Sequence, residues 1–145
     1  MTDHLTARYG LIHGAYWASY AAIAAYVNLY LLEMGFSSGA IGVLIALAGL
    51  LSALLQPLAA SYADRETSPN LKAINLAIAA LWMLSALGLL VFHKNKVASL
   101  LFYGGCLSLL QLQTPLVNGL GVTSINCGCK LNYGVSKSVS SVTYA

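Results

Sequence analysis

The feature that most limits this chain is a set of long stretches without one charged side chain. Asp, Glu, Lys and Arg are absent from Tyr9–Leu32, Met34–Ala63, Ala73–Phe92 and Val97–Cys129. Each stretch meets or exceeds the ~18–20 residues that an α-helix needs to cross the hydrocarbon core of a bilayer. Charge falls between them, at Glu33, at Asp64 and Arg65, and at Lys94 and Lys96. Only 8% of the residues are charged, against about 25% in globular domains. So few charges cannot cover a water-facing surface, so most of the surroundings must be lipid. The expected fold is an all-α membrane protein of four transmembrane helices plus the start of a fifth. Continuous rather than alternating apolarity argues against a β-barrel. The length of the first stretch, and the spans after it, argue against a secretory signal peptide.

Reading along the chain, residues 1–9 form a polar tail. Spans of about 10–32, 40–62, 72–92 and 97–119, with their connecting loops, occupy 10–130. Residues 120–130 read as irregular, and 131–145 as the truncated start of a fifth helix. Arg8, Arg65, Lys72, Lys130 and Lys137 fall on one side of this layout, and only Lys94 and Lys96 on the other. Five against two puts the N-terminus in the cytoplasm of a multi-pass protein of the cell membrane.

The seven basic residues form no cluster or basic helix face, which argues against a nucleic-acid partner. Cys106 lies in a span, and Cys127 and Cys129 form a Cys-x-Cys without a second ligand pair. No cofactor or metal is expected. Phosphate loops, nucleophile elbows, zinc-protease motifs and paired carboxylates are all missing, so no enzyme is expected. Asp64 and Glu66 flank Arg65 as a charge cluster rather than an acid/base pair.

Two kinds of helix face stand out. Gly42, Ala46, Gly49 and Ala53 in span two, and Gly14, Ala18, Ala21 or Ala22, and Ala25 in span one, form stripes of small residues. They predict close approach of spans one and two. A second kind is polar. Span one carries His13, Trp17, Tyr20 and Asn28, and span four carries Gly104, Ser108, Gln111, Pro115 and Asn118. Polar groups in hydrocarbon are costly unless they face protein or water. Two readings stand at this point, interhelical hydrogen bonding or the wall of a hydrated solute cavity. In the cavity reading, Trp17 and Tyr20 stack on a sugar ring or an aromatic solute. His13, near the cytoplasmic end of span one, reads as an interfacial histidine.

The stretch from Ile41 to Arg65, with Gln56-Pro57 and then Asp64-Arg65, resembles the second helix and following loop of the major facilitator superfamily. Tyr20–Leu31 and Tyr133–Ala145 resemble the first helix and the start of the fifth in its lactose-permease-like branch of oligosaccharide/proton symporters. The resemblance implies the N-terminal part of a twelve-helix fold built as two six-helix halves. It implies a small, sugar-like or other solute held between the halves near mid-membrane, possible coupling to protons, and alternating access.

It also assigns residues. Asp64 and Arg65 match a cytoplasmic latch, with Ala60 in place of its leading glycine and Glu66-Thr-Ser-Pro-Asn in place of its basic half. Asn118 stands where sugar-binding members carry an acid, Lys137 where they carry an arginine, and Ser140 or Ser141 where glycines are expected. The solute-binding set is then Trp17, Tyr20, Asn28, Gln111, Asn118 and Lys137.

Residues 131–145 would make ~22 Å of helix, short of the ~30 Å core. The expectation is therefore a fragment incomplete for transport alone. The alternatives are a non-transporting membrane protein that associates with partner helices, with itself or with a complementary half, and a dimeric four-span carrier.

Overall fold

The computed structural model describes the backbone of residues 2–65 and 68–145, and the side chains of 4–65 and 68–145. Five helices make up the described chain: α1 (Thr2–Glu33), α2 (Ser38–Ala63), α3 (Leu71–Val91), α4 (Lys96–Asn126) and α5 (Tyr133–Tyr144). Their starts are written in the sequence. Ser37, Asn70, Asn95 and Asn132 each accept a hydrogen bond from the backbone N–H three residues on, capping α2, α3, α4 and α5. Two of the stops share one device. Gly35 and Gly128 have φ of 81° and 78°, and the following residues, Phe36 and Cys129, donate back to Leu31 and Ser124. Each glycine takes the left-handed conformation that closes a helix C-terminus.

Helix α4 is the hub. It packs on α1, α2 and α3, while α5 lies along α1 and parallel to it. The core follows that arrangement. Val27, Leu31, Ile41, Ala48, Tyr103 and Leu107 join α1, α2 and α4, and Ile78, Leu112 and Leu116 join α3 to α4. The far faces of α2 and α3 are leucine-rich and exposed, as at Leu47, Leu54, Leu58, Leu76, Leu84 and Leu90. An apolar surface of that extent fits lipid rather than water. Three helices, α2, α3 and α4, are long and apolar enough to cross a membrane. Helix α1 is not among them, because His13, Ser19, Asn28 and its five tyrosines dilute its hydropathy.

Three expectations need correction. Helix α1 runs back through the polar tail to Thr2, because α5 gives that first part a partner. The Ser136 hydroxyl donates to the Thr6 carbonyl at 3.0 Å, and the Asn132 N–H to the Thr6 hydroxyl at 3.2 Å. Helix α4 continues through Leu120–Asn126, which read as irregular. Ser124 turns its hydroxyl back onto the Leu120 carbonyl at 2.8 Å, as serine does inside helices. The small-residue stripes of spans one and two do not meet. Gly14 packs on Val139 and Thr143 of α5, and Gly42 has nothing within 4 Å of where a β-carbon would stand.

The Gln56-Pro57 pair has a local explanation. Pro115, inside α4, has no N–H to give the Gln111 carbonyl one turn earlier. In hydrocarbon that orphaned acceptor needs a partner. The Gln56 side chain of α2 supplies it, donating from Nε2 to the Gln111 carbonyl at 3.3 Å.

Candidate solute site at the junction of α1, α4 and α5

Four tyrosines and a histidine tie α1 and α5 to α4. Tyr9 donates to the Val117 carbonyl at 3.2 Å, and Tyr16 to the Leu110 carbonyl while also bonding the Thr114 hydroxyl. Tyr103 reaches back from α4 to the Ile23 carbonyl at 2.8 Å. His13 is 1% exposed. Its Nε2 lies 2.9 Å from the Asn118 amide oxygen. That oxygen can only accept, so the ring donates from Nε2. Tyr133 of α5 donates to the same oxygen at 3.3 Å. The buried His13 Nδ1 has no partner among the described residues.

His13, expected as an interfacial histidine, is packed inside the protein. Helix α1 starts three turns earlier, and α5 covers the face on which His13 sits. Close backbone approach makes this possible at Gly121, where a β-carbon would come within 2.6 Å of the Tyr9 ring and 2.9 Å of Tyr133.

One to two turns beyond this knot lies a cavity of about 370 Å³ lined by Trp17, Lys137, Ser140, Ser141 and Tyr144. That volume is within the ~300–1,000 Å³ range of small-molecule sites. Its aromatic wall is Trp17 edge-on to Tyr144, with ring centroids 5.4 Å apart at 87°. Tyr20 backs both rings, at 5.5 Å from Trp17 and 6.4 Å from Tyr144. The Lys137 ammonium stands over the Tyr133 ring, 5.6 Å from its centroid. Ser140 and Ser141 turn their hydroxyl hydrogens onto the Lys137 carbonyl and keep their oxygens as acceptors.

The structure brings Trp17, Tyr20 and Lys137 together. Asn118 lies beside them, but its amide oxygen is taken by His13 and Tyr133. Gln111 sits against Gly49 of α2 rather than in this cavity. Asn28 is exposed, eleven residues beyond Trp17 along α1. Asp64 and Arg65 are exposed at the end of α2, where their N–H groups cap the Ala60 and Tyr62 carbonyls. Glu66 and Thr67, which stand in the latch's basic half, lie outside the described residues. Sequence reasoning missed Tyr144, the second aromatic wall. The signal was its spacing of seven from Lys137, which puts both on one helix face.

A family model described as the MFS_1 like family matches residues 9–145. The chain belongs to this family of the major facilitator superfamily. No curated protein and no solved structure matches it. Family membership and three membrane-length apolar helices make this MFS_1-like chain a multi-pass, transporter-related membrane protein. A lipid bilayer and a small-solute context fit that membership.

Proposed function

We propose that this MFS_1-like chain is the N-terminal part of a secondary active transporter of the lactose-permease-like branch, working by alternating access. In this reading α1 to α4 are four spans and α5 begins a fifth. The N-terminus is cytoplasmic in the cell membrane, and Asp64 and Arg65 belong to a cytoplasmic latch. The solute lies on the α1–α5 side of α4, against Trp17, Tyr20 and Lys137, with Asn118 positioning α1 and α5 rather than touching solute. Asn28 and Gln111 belong to other parts of the transport path.

One observation carries the reading. The cavity at Trp17, Lys137 and Tyr144 is polar and aromatic, while the outer faces of α2 and α3 are apolar. A lipid-facing helix has no use for a lysine at that place, whereas a solute path does. The test is protection of Ser141→Cys from a soluble maleimide, in a Cys127→Ser, Cys129→Ser background, across a panel of sugars and organic acids. At least one solute should protect it, with the protection lost in Trp17→Ala. No protection by any member of the panel defeats the reading.

A second reading has its own observation. Helices α1 and α3 both lie on α4 and leave a cleft between them. It is lined by Tyr26, Tyr30, Met83, Leu87 and Leu90 at one end and by Tyr16, Asn75 and Gln113 at the other. A partner helix fits there, as in a membrane protein that works by association. Crosslinking from Met83→Cys to a second polypeptide, with no solute protection at Ser141→Cys, would favour it.

A further inference from the structure

The turn that ends α4 carries a motif that the solute path leaves unused. Cys127 and Cys129 flank Gly128, and both thiols are free and exposed. Their backbone is held in place. The Cys127, Gly128 and Cys129 N–H groups donate to the Thr123, Ile125 and Ser124 carbonyls at 3.0, 2.9 and 3.1 Å. Gly128, at φ 78°, reverses the chain between the two cysteines. The Leu131 N–H then donates to the Cys129 carbonyl at 3.0 Å, which fixes the way out.

This cap keeps the two thiols close. Two residues of extended chain reach at most ~7 Å, and the reversal at Gly128 shortens that span. Nothing lies within 4 Å of where a β-carbon at Gly128 would stand, so the space beside the pair is open. Exposed cysteine side chains are free to change χ1 rotamer and turn toward a shared ion.

The donor set selects the ion. Hard cations such as Mg(II) and Ca(II) take oxygen ligands. Structural Zn(II) takes four ligands, and among the described residues no third His, Cys, Asp or Glu joins this pair. Soft thiolates select Cu(I), a d10 ion that two sulfurs in line can satisfy. Each thiol gives its proton to water as its sulfur takes the ion, and no electron moves. The two thiolates and the ion together carry one negative charge, and Lys130 is the next residue along the chain. In the proposed topology this end of α4 faces the cytoplasm, where thiols stay reduced.

We propose that the Cys127-Gly128-Cys129 cap of α4 binds one soft, two-coordinate cation, Cu(I), through both sulfur atoms.

The test is anaerobic competition for Cu(I) between a chromogenic Cu(I) chelator and the full chain, reconstituted at one chain per lipid nanodisc. The chain should withdraw one equivalent of Cu(I). Cys127→Ser and Cys129→Ser should each weaken binding by at least about 100-fold, because each removes one of two linked ligands. The double serine variant, which keeps Cys106, should withdraw none. Gly128→Val should weaken binding by about tenfold, because a β-branched residue holds a left-handed φ only under strain. Zn(II) in about tenfold excess should not displace the ion.

No withdrawal by the parent chain, or equal withdrawal by the double serine variant, overturns the site. A single serine variant that binds like the parent shows that the thiols do not act as a pair, and displacement by Zn(II) refutes the two-coordinate assignment. Parent-like binding by Gly128→Val overturns the role of the cap. All four positions of substitution and change lie on an exposed turn, and helicity by circular dichroism confirms that each variant folds. The solute-protection assay uses a chain without Cys127 and Cys129, so the proposed function and this site stand or fall separately.

Discussion

Two stripes of small residues look alike in the sequence and end in opposite places. On α1, Gly14 at the head of the stripe is buried, as is Gly10 one turn before it, and α5 sits down on both, while Ala18, Ala22 and Ala25 are exposed. A β-carbon at Gly14 would stand 3.1 Å from Val139 and 3.5 Å from Thr143. On α2, Gly42, Ala46 and Ala53 are exposed. The buried face of α2 is instead Ile41, Ala48 and Ser52, with the Ser52 hydroxyl donating to the Ser108 carbonyl of α4. Small residues allow backbones to come close, but they supply little attraction of their own. The α1 stripe is used because its neighbours also offer bonds, from Tyr9, His13 and Tyr16 to α4 and from Thr6 to α5. On α2 the bonds to α4 come from Ser52 and Gln56, and of the stripe itself only Gly49 meets α4, at Gln111.

That contrast can be broken by substitution, and the largest effect is expected on α1. Gly14→Leu should destabilise the bundle by about 3 kcal/mol, because the new side chain must displace Val139 and Thr143. Unfolding in mixed detergent micelles measures it. A loss below about 1 kcal/mol would mean that the α1–α5 contact adds little.

Next comes the polar knot. Asn118→Leu should cost about 2 kcal/mol, since it strips His13 of its one hydrogen bond and leaves the ring buried. The same unfolding assay reads it, and His13→Leu with Asn118→Leu should cost less than the two singles added together. Strict additivity would show that the two side chains do not act as a pair.

The smallest change is expected at Gly42→Leu. It should stay within about 0.5 kcal/mol of the parent, because nothing lies within 4 Å of the new β-carbon. A loss as large as that of Gly14→Leu would show that the α2 stripe does have a partner in the membrane.

The legible part of the fold was what depends on neighbours in sequence. Uncharged runs mark out α2, α3 and α4, and the Ser37, Asn70, Asn95 and Asn132 caps sit where polar punctuation stands in the chain. Helix ends that depend on a distant partner were not legible. Thr2–Arg8 is helical with α5 alongside, and Leu120–Asn126 with Tyr9 and Tyr133 packed on Gly121. The site was half legible. Trp17, Tyr20 and Lys137 have residue types that attract notice in an apolar chain. Tyr144 escaped because one more aromatic near a span end reads as an interface residue. The burial of His13 was not legible because it depends on where α1 begins and on α5 covering that face.

By itself the sequence determined the medium, the helical class and the family. Hydropathy and motif are sums over local residues, and no partner is needed to compute them. Tertiary structure alone decided which stripe of glycines would be used, that Gln56 would answer the carbonyl freed by Pro115, and that Lys137 would share a cavity with Trp17. Each of these depends on the approach of two helices far apart in sequence, where a distance of a few ångströms separates contact from none.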